Sequence, residues 1–215
     1  MKHAFFAVLF LSAFTMSAVQ AQPASSIALP APQKAGGKPV LDAVAARASA
    51  PGSGFPSNAI SPEELSTLLW AASGKNRASL WTVPFAQGLE PYVDIYVAGK
   101  EGIYRYAWQD HSLKLAAGGD FRTKINPQGF AGAASHIFIF VSNKDSLKKK
   151  GGSPQHWAKW THVATGAMTQ QLYLVSDTLE IGARYAETMD VNFVRKTLDI
   201  AADEEPICVF ALGKR

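Results

Sequence analysis

The stretch Thr161–Ala183, "THVATGAMTQQLYLVSDTLEIGA", has Asp177 and Glu180 as its only charged residues. A helix on a domain surface shows an apolar stripe on one side and a charged face on the other. Here nearly every side is apolar or small. The expectation is a long helix from about Trp157 to Glu180, buried almost all round.

Working outward, the elements on either side are short and mixed. Ser61-Pro62-Glu63-Glu64 combines a capping box with proline at the first helical position. Leu65, Leu68, Leu69 and Ala72 follow at helical spacing, and Gly74 is a natural stop. The next piece, "KNRASLWTVPFAQGLEP", is irregular and rich in turn residues. "YVDIYVA" alternates like a strand, Gly99-Lys100-Glu101-Gly102 turns the chain, and "IYRYA" returns as a hairpin. "SLKLAA" and "HIFIFVSN" read as further strands, Asp190 caps a short helix through "VNFVRKTLDI", and "EEPICVFALG" closes as a strand. Strands and helices without regular βαβ alternation predict an α+β layered fold with a central mixed or antiparallel sheet flanked by helices.

The ends and the composition narrow the setting. Lys2 and His3 precede an apolar run from Ala4 to Phe14, and Val19-Gln20-Ala21 has the small-x-small pattern of a signal-peptide cleavage site. Residues 1–21 are therefore expected to be removed on export across the inner membrane to a periplasm. That run is too short to span a membrane, and no later segment is long and apolar enough to do so. Residues 22–59, rich in Ala, Pro, Ser and Gly, read as a flexible linker, and residues 60–215 as one domain with a real core. The single cysteine, Cys208, excludes an internal disulfide and sits in an apolar strand as an inert buried thiol. The net charge of +4 owes much to Lys148-Lys149-Lys150, read as a solvated loop. No basic stripe with interleaved aromatics suggests nucleic acid.

Four stretches, "LLWAASGKNR", "TVPFAQGLEPYVDIYVAGKEGIYRYAWQDHSLKL", "ATGAMTQQLYLVSDTLEIGA" and "EEPICVFALGKR", resemble the nitroreductase family of flavin-dependent oxidoreductases. The likeness is strongest to its short SagB-type dehydrogenase branch. It implies a nitroreductase-like fold in which the long helix runs through the centre of the domain and helps form a homodimer. It also implies FMN as cofactor and hydride or electron transfer to a small organic molecule.

FMN makes two demands. Its phosphate wants arginine, lysine or free backbone N–H groups. Its ring wants a flat apolar slot with a few fixed donors. By the resemblance, Arg77 after the first helix, with Asn76 beside it, and Lys214 and Arg215 after Gly213 hold the phosphate. The family carries Pro-Ser-Ala-x-Asn against the ring, where this chain reads Pro84-Phe85-Ala86-Gln87-Gly88. Phe85 is thus placed to stack on the slot or block it, and Gln87 to replace one hydrogen bond. The segment after the long helix puts Tyr185, Ala186, Glu187 and Thr188 nearest the reactive nitrogen, without the family's usual glycine. No catalytic acid or base is required. Export implies a quinol or a small redox protein as electron donor.

Other chemistries find little footing. His111, His136, His156 and His162 lack the spacing and the companions of a metal site, and no G-x-S-x-G elbow is present. Trp157 and Trp160 read as packing anchors. The serious rival is a nitroreductase-like domain that has lost its cofactor and serves as a binding or structural module. The replaced Ser and Asn favour that rival; Asn76, Arg77 and the basic terminus oppose it.

Overall fold

Ser61 starts the first long helix as its sequence predicts. Its side chain accepts from the Glu64 amide, Glu64 returns the bond to the Ser61 amide, Pro62 occupies the first turn and Gly74 ends the helix. The computed structural model describes residues 22–56, 60–77, 80–86 and 90–215. The expected signal segment and Gln87 lie outside the described residues.

In chain order these residues form β1 (Ser26–Ala28), α1 (Val40–Ala46), α2 (Pro62–Ser73) and a two-stranded ribbon of β2 (Lys75–Arg77) and β3 (Leu80–Trp81). Then come β4 (Val93–Ala98), β5 (Gly102–Ala107) and β6 (Ser112–Gly118). Two single turns, α3 (Arg122–Ile125) and α4 (Phe130–Ala133), lead to β7 (His136–Ser142) and α5 (Lys144–Lys150). The long α6 (Pro154–Thr178), β8 (Ile181–Ala186), α7 (Val191–Thr197) and β9 (Pro206–Lys214) complete the chain.

One seven-stranded sheet, in the order β1-β6-β5-β4-β7-β9-β8, organises the domain, and every pairing in it is antiparallel. Its strands are covered on both faces. On one, Phe138, Phe140, Phe210 and Val97 pack with Leu68 and Leu69 of α2 and Met168 and Leu172 of α6. On the other, Ile137, Ile139, Val209 and Ala211 pack with Ile125, Phe130 and Val194 of the short helices. Being buried on both faces is why β7 and β9 read as continuous apolar runs rather than alternating ones. Cys208 is buried in β9, and burial pushes its thiol up to about 12.

Four sequence expectations need correction. The long helix is present, but it buries one face: Thr161, Ala164, Thr165, Met168, Thr169, Leu172 and Ser176 recur at helical spacing. Val163, on the other side, is 63% exposed. Small and uncharged polar residues cover that outer side, so a lack of charge resembled burial. The segment after it is not a loop but β8, an edge strand paired with β9. The lysine run belongs to α5, where it forms the last turn and suits the helix dipole while Leu147 anchors the helix in the core.

The fourth concerns residues 22–56, expected to be a free linker. β1 pairs with β6, the Gln33 amide donates to Thr67 Oγ1, Ala43 and Phe55 are buried, and the Ala50 amide donates to the Ala183 carbonyl. Composition was too coarse a measure here. A few well-placed side chains and backbone pairings hold a segment whose average hydrophobicity is low.

Phe85 is 5% exposed, with its ring edge-on to Tyr92 at 5.3 Å and Trp81 at 6.2 Å. Phe85→Ser, which restores the family's residue, is expected to cost about 3 kcal/mol in urea unfolding, in the range of large-to-small core substitutions. Acid should also loosen the fold through Glu64 and Asp177. Burial raises the Glu64 carboxyl, but the Lys214 contact and the Ser61 amide outweigh it and hold it below its ordinary 4.5. Lys38 first, and Arg215 as well, hold Asp177 below its ordinary 3.8 against its burial. Both folded values are depressed, so their contribution is complete above about pH 4.5 and is lost as pH falls through the folded values. In Glu64→Gln/Asp177→Asn, thermal midpoints should fall less steeply below pH 4 than in the parent chain. At pH 7 each change should cost about 1 kcal/mol, discounted for partly exposed partners.

Candidate functional site

Asp177, in the last turn of α6, is 1% exposed. Its Oδ2 receives Lys38 Nζ at 2.6 Å, and Arg215 Nη2 stands 2.9 Å from Oδ1. Nearby, Lys214 pairs with Glu64 in the first turn of α2. These pairs bring the C-terminus, the start of α2 and the end of α6 to one place.

A cleft of about 330 Å³ opens there, lined by Ser49, Pro51, Phe55, Gly182, Lys214 and Arg215. Phe55 packs against Gly182 and Gly213, which are cross-strand partners in β8 and β9. A Cβ on Gly213 would come within 2.6 Å of that ring, so only glycine allows the aromatic so close. Arg184 Nη1 donates to the Ala50 carbonyl at 2.7 Å, while its buried Nε has no partner among the described residues. Arg47 lies 5.1 Å from the centroid of the Tyr173 ring, and the Tyr173 hydroxyl bonds Ser49 Oγ at 2.8 Å and receives the Tyr185 amide. Lys214 and Arg215 line the cleft, and Lys38, Arg47 and Arg184 lie on the elements beside it, against the two carboxylates of Glu64 and Asp177. That donor set suits an anionic group.

Along the flank of α6 runs a groove of about 260 Å³ lined by His162, Thr165, Gly166, Thr169, Tyr185 and Cys208. Thr165 Oγ1 is buried without a partner among the described residues. Burial, with Cys208 and Glu187 nearby, pushes the Tyr185 phenol up to about 12, and its hydroxyl donates to Glu187 at 3.2 Å. The phenol is therefore a proton-bearing donor at neutral pH.

Of the residues singled out in the sequence, Lys214 and Arg215 stand together at this cleft. Asn76 and Arg77 do not join them. They lie on exposed β2, past the end of α2, whereas Lys214 is held at its start. The twelve residues of α2 separate the two by about 18 Å at ~1.5 Å per residue. Ala186, Glu187 and Thr188 lie toward the other end of β8, since Ile181 pairs with Lys214 and Ala186 with Val209. That is about 17 Å of strand at ~3.4 Å per residue. The Thr188 carbonyl is occupied by Asn126 Nδ2. Phe85 neither stacks on an open slot nor plugs this cleft, because it is core. Missed entirely were Arg47, Ser49 and Arg184. The signal was the pattern Arg-Ala-Ser at 47–49, set aside with the linker.

A model of the nitroreductase family, described as "Nitroreductase: Nitroreductase family", matches residues 45–214. The match takes in Arg47 and Ser49. "Putative nitroreductase MJ1384" of Methanocaldococcus jannaschii is 27% identical over 169 residues, covering 74% of this chain and 83% of that protein. A crystal structure of a Ralstonia eutropha JMP134 protein of the same description superposes with TM-score 0.79 at 30% identity, covering 89% of this chain and 90% of that one. More distantly, the NADPH:FMN oxidoreductase of Vibrio harveyi, solved with NAD+, shares the fold at TM-score 0.60 and 13% identity, over 81% of this chain and 68% of its own. With the family model spanning most of its length, the chain belongs to the nitroreductase family, whose chemistry is that of an oxidoreductase.

Proposed function

We propose that this protein is an exported, FMN-dependent oxidoreductase of the SagB-type branch that passes hydride or electrons to a small organic acceptor. The observation that carries the reading is the convergence of Lys214, Arg215 and Ser49 on one cleft, with Arg184 and Arg47 beside it. The phosphate of FMN is the anion these residues would hold. They would do so by exchanging part of their present pairing with Glu64 and Asp177 for the phosphate oxygens. When bound, the flavin supplies the hydride or electron transfer. The Vibrio harveyi relative named for FMN supports the choice of flavin. The Lys2–Ala21 pattern supports export to a periplasm, and with it a quinol or a small redox protein as donor.

The spacing between the segment that the resemblance assigns to the ring and the residues it assigns to the phosphate supports a homodimer. Phe85 packs with Tyr92, whose hydroxyl reaches the Trp160 carbonyl near the start of α6. Lys214 and Arg215 lie by Asp177 at its end. Trp160 and Asp177 are about 25 Å apart along the axis, so one chain cannot bring both groups to a single flavin. A second copy with its α6 antiparallel would bring one protomer's Phe85 end to its partner's Arg215 end. Val163 and Gly166, on the uncovered side of α6, are what such a packing would bury.

The rival is a domain that has given up its cofactor. It is favoured by the burial of Phe85 where the family has serine, and by the carboxylates that already occupy Lys214 and Arg215.

Titration of the chain with FMN, followed by quenching of flavin fluorescence, separates the readings. Saturable binding is expected, weakened at least tenfold in Lys214→Ala/Arg215→Ala and unchanged in Arg77→Ala. A colourless protein that takes up no FMN would leave the binding-module reading. In sedimentation the parent chain is expected as a dimer, and Val163→Arg as a monomer with reduced FMN affinity.

A further inference from the structure

A second cavity, of about 430 Å³, lies beside the first turn of α2 and shares no residue with the cationic cleft. Its walls are aliphatic: Ile27 and Leu29 from the N-terminal segment, Leu65 from α2 and Leu113 from β6. Its floor is the turn between β4 and β5, where Gly99 and Gly102 present no side chain. A Cβ on Gly99 would stand 3.3 Å from the His136 ring. One on Gly102 would come within 2.7 Å of the Ala117 carbonyl oxygen of β6, so the backbone at this turn is closely packed and only glycine fits there.

Two polar groups interrupt this apolar lining. Tyr104 is 5% exposed, and its buried hydroxyl has no hydrogen-bond partner among the described residues. Burial, and the nearby charge of Glu101, raise its pKa, so the phenol keeps its proton and can donate. His136 bonds Ser135 Oγ through Nδ1 at 3.0 Å, and the residue lines the cavity. Burial and the charge of Arg122 push that ring down to about 4, so it is neutral at pH 7. At the mouth, Lys100 and Glu101 carry opposite charges. A buried, unmet hydroxyl is costly unless something bonds it. A single water would meet the hydroxyl and leave most of the apolar space unfilled. The volume is in the range of small-molecule sites, and few polar groups on an apolar wall are their usual pattern.

We propose that this cavity binds a small, uncharged, mainly aliphatic molecule with one acceptor oxygen, a short ketone, ester or lactone, to which the Tyr104 hydroxyl donates. The proposal is independent of the flavin reading. Lys100 and Glu101 at the mouth offset each other for an ion of either sign, and the lining inside them carries neither a cation nor a carboxylate to replace the hydration an ion would lose.

Three probes with the same chain length and different heads test this: 2-heptanone, heptanoate and heptylammonium, titrated into the full chain and followed by aromatic NMR signals. For 2-heptanone, saturable shifts at Tyr104 and His136 are expected in the low-millimolar range, with the two ions at least tenfold weaker. Tyr104→Phe should weaken the ketone about fivefold, and its thermal midpoint without ligand should be unchanged or higher, because an unmet hydroxyl is removed. Gly99→Leu, which fills the floor beside His136, should abolish the shifts. Absence of saturable shifts overturns the proposal, as does heptanoate or heptylammonium binding as well as the ketone, or equal affinity in Tyr104→Phe.

Discussion

A carboxylate shut away from water has to be neutralised where it stands. Asp177, at the end of α6, meets that requirement with Lys38 from the N-terminal segment and Arg215 at the C-terminus. Much of the chain's arrangement follows from it. Lys38 reaches Asp177 because residues 33–38 pass from α2, where the Gln33 amide bonds Thr67, to the end of α6, and that path leads on to α1, Arg47 and Ser49. Arg215 can reach it only if β9 runs its full length beside β8. The cationic cleft is thus assembled from two chain ends that meet because of one acid. Glu64 repeats the device on a smaller scale, tying Lys214 to the capping box that starts α2.

Those carboxylates also limit what the cleft can hold. Lys38, Arg47 and Arg184 beside the cleft leave an excess of positive charge, which favours an anion over a cation. Each cation of the terminal pair nevertheless already has a partner, and a ligand gains only the difference between the two pairings. Tight binding of an anion then depends on contacts beyond its charge. The fold is that of the family, and at Pro84-Phe85-Ala86, where the sequence departs from the family's pattern, Phe85 is buried in the core.

What could be read beforehand follows from range along the chain. The α2 cap, the β4–β5 hairpin, the β7 and β9 runs and the Asp190 cap all depend on residues within a few positions of one another, and each was legible. β8 was not, because Ile181–Ala186 continues the apolar character of α6, and only pairing with β9 makes it a strand. The N-terminal segment failed for the same reason. Ile27, Lys38, Ala50 and Phe55 are single contacts to distant elements, invisible to a composition average. Among candidate site residues, Lys214 and Arg215 stand together at the cleft because they close a strand whose register is fixed. Arg77 was placed by its distance in sequence from α2, and the length of that same helix carries it away from them.

Phe55 shows how far sequence reading could have gone. Gly182 and Gly213 each sit in an otherwise apolar strand, and a glycine inside a strand signals close approach by another group. Taken singly, neither says what approaches. Taken as a cross-strand pair, they leave room for one side chain over both strands. Phe55, from the segment read as a linker, is the group that approaches, and with it Ser49 and Ala50 come to the cleft. The order in which constraints are imposed therefore decides what a sequence yields: long-range register comes first, and the site follows from it.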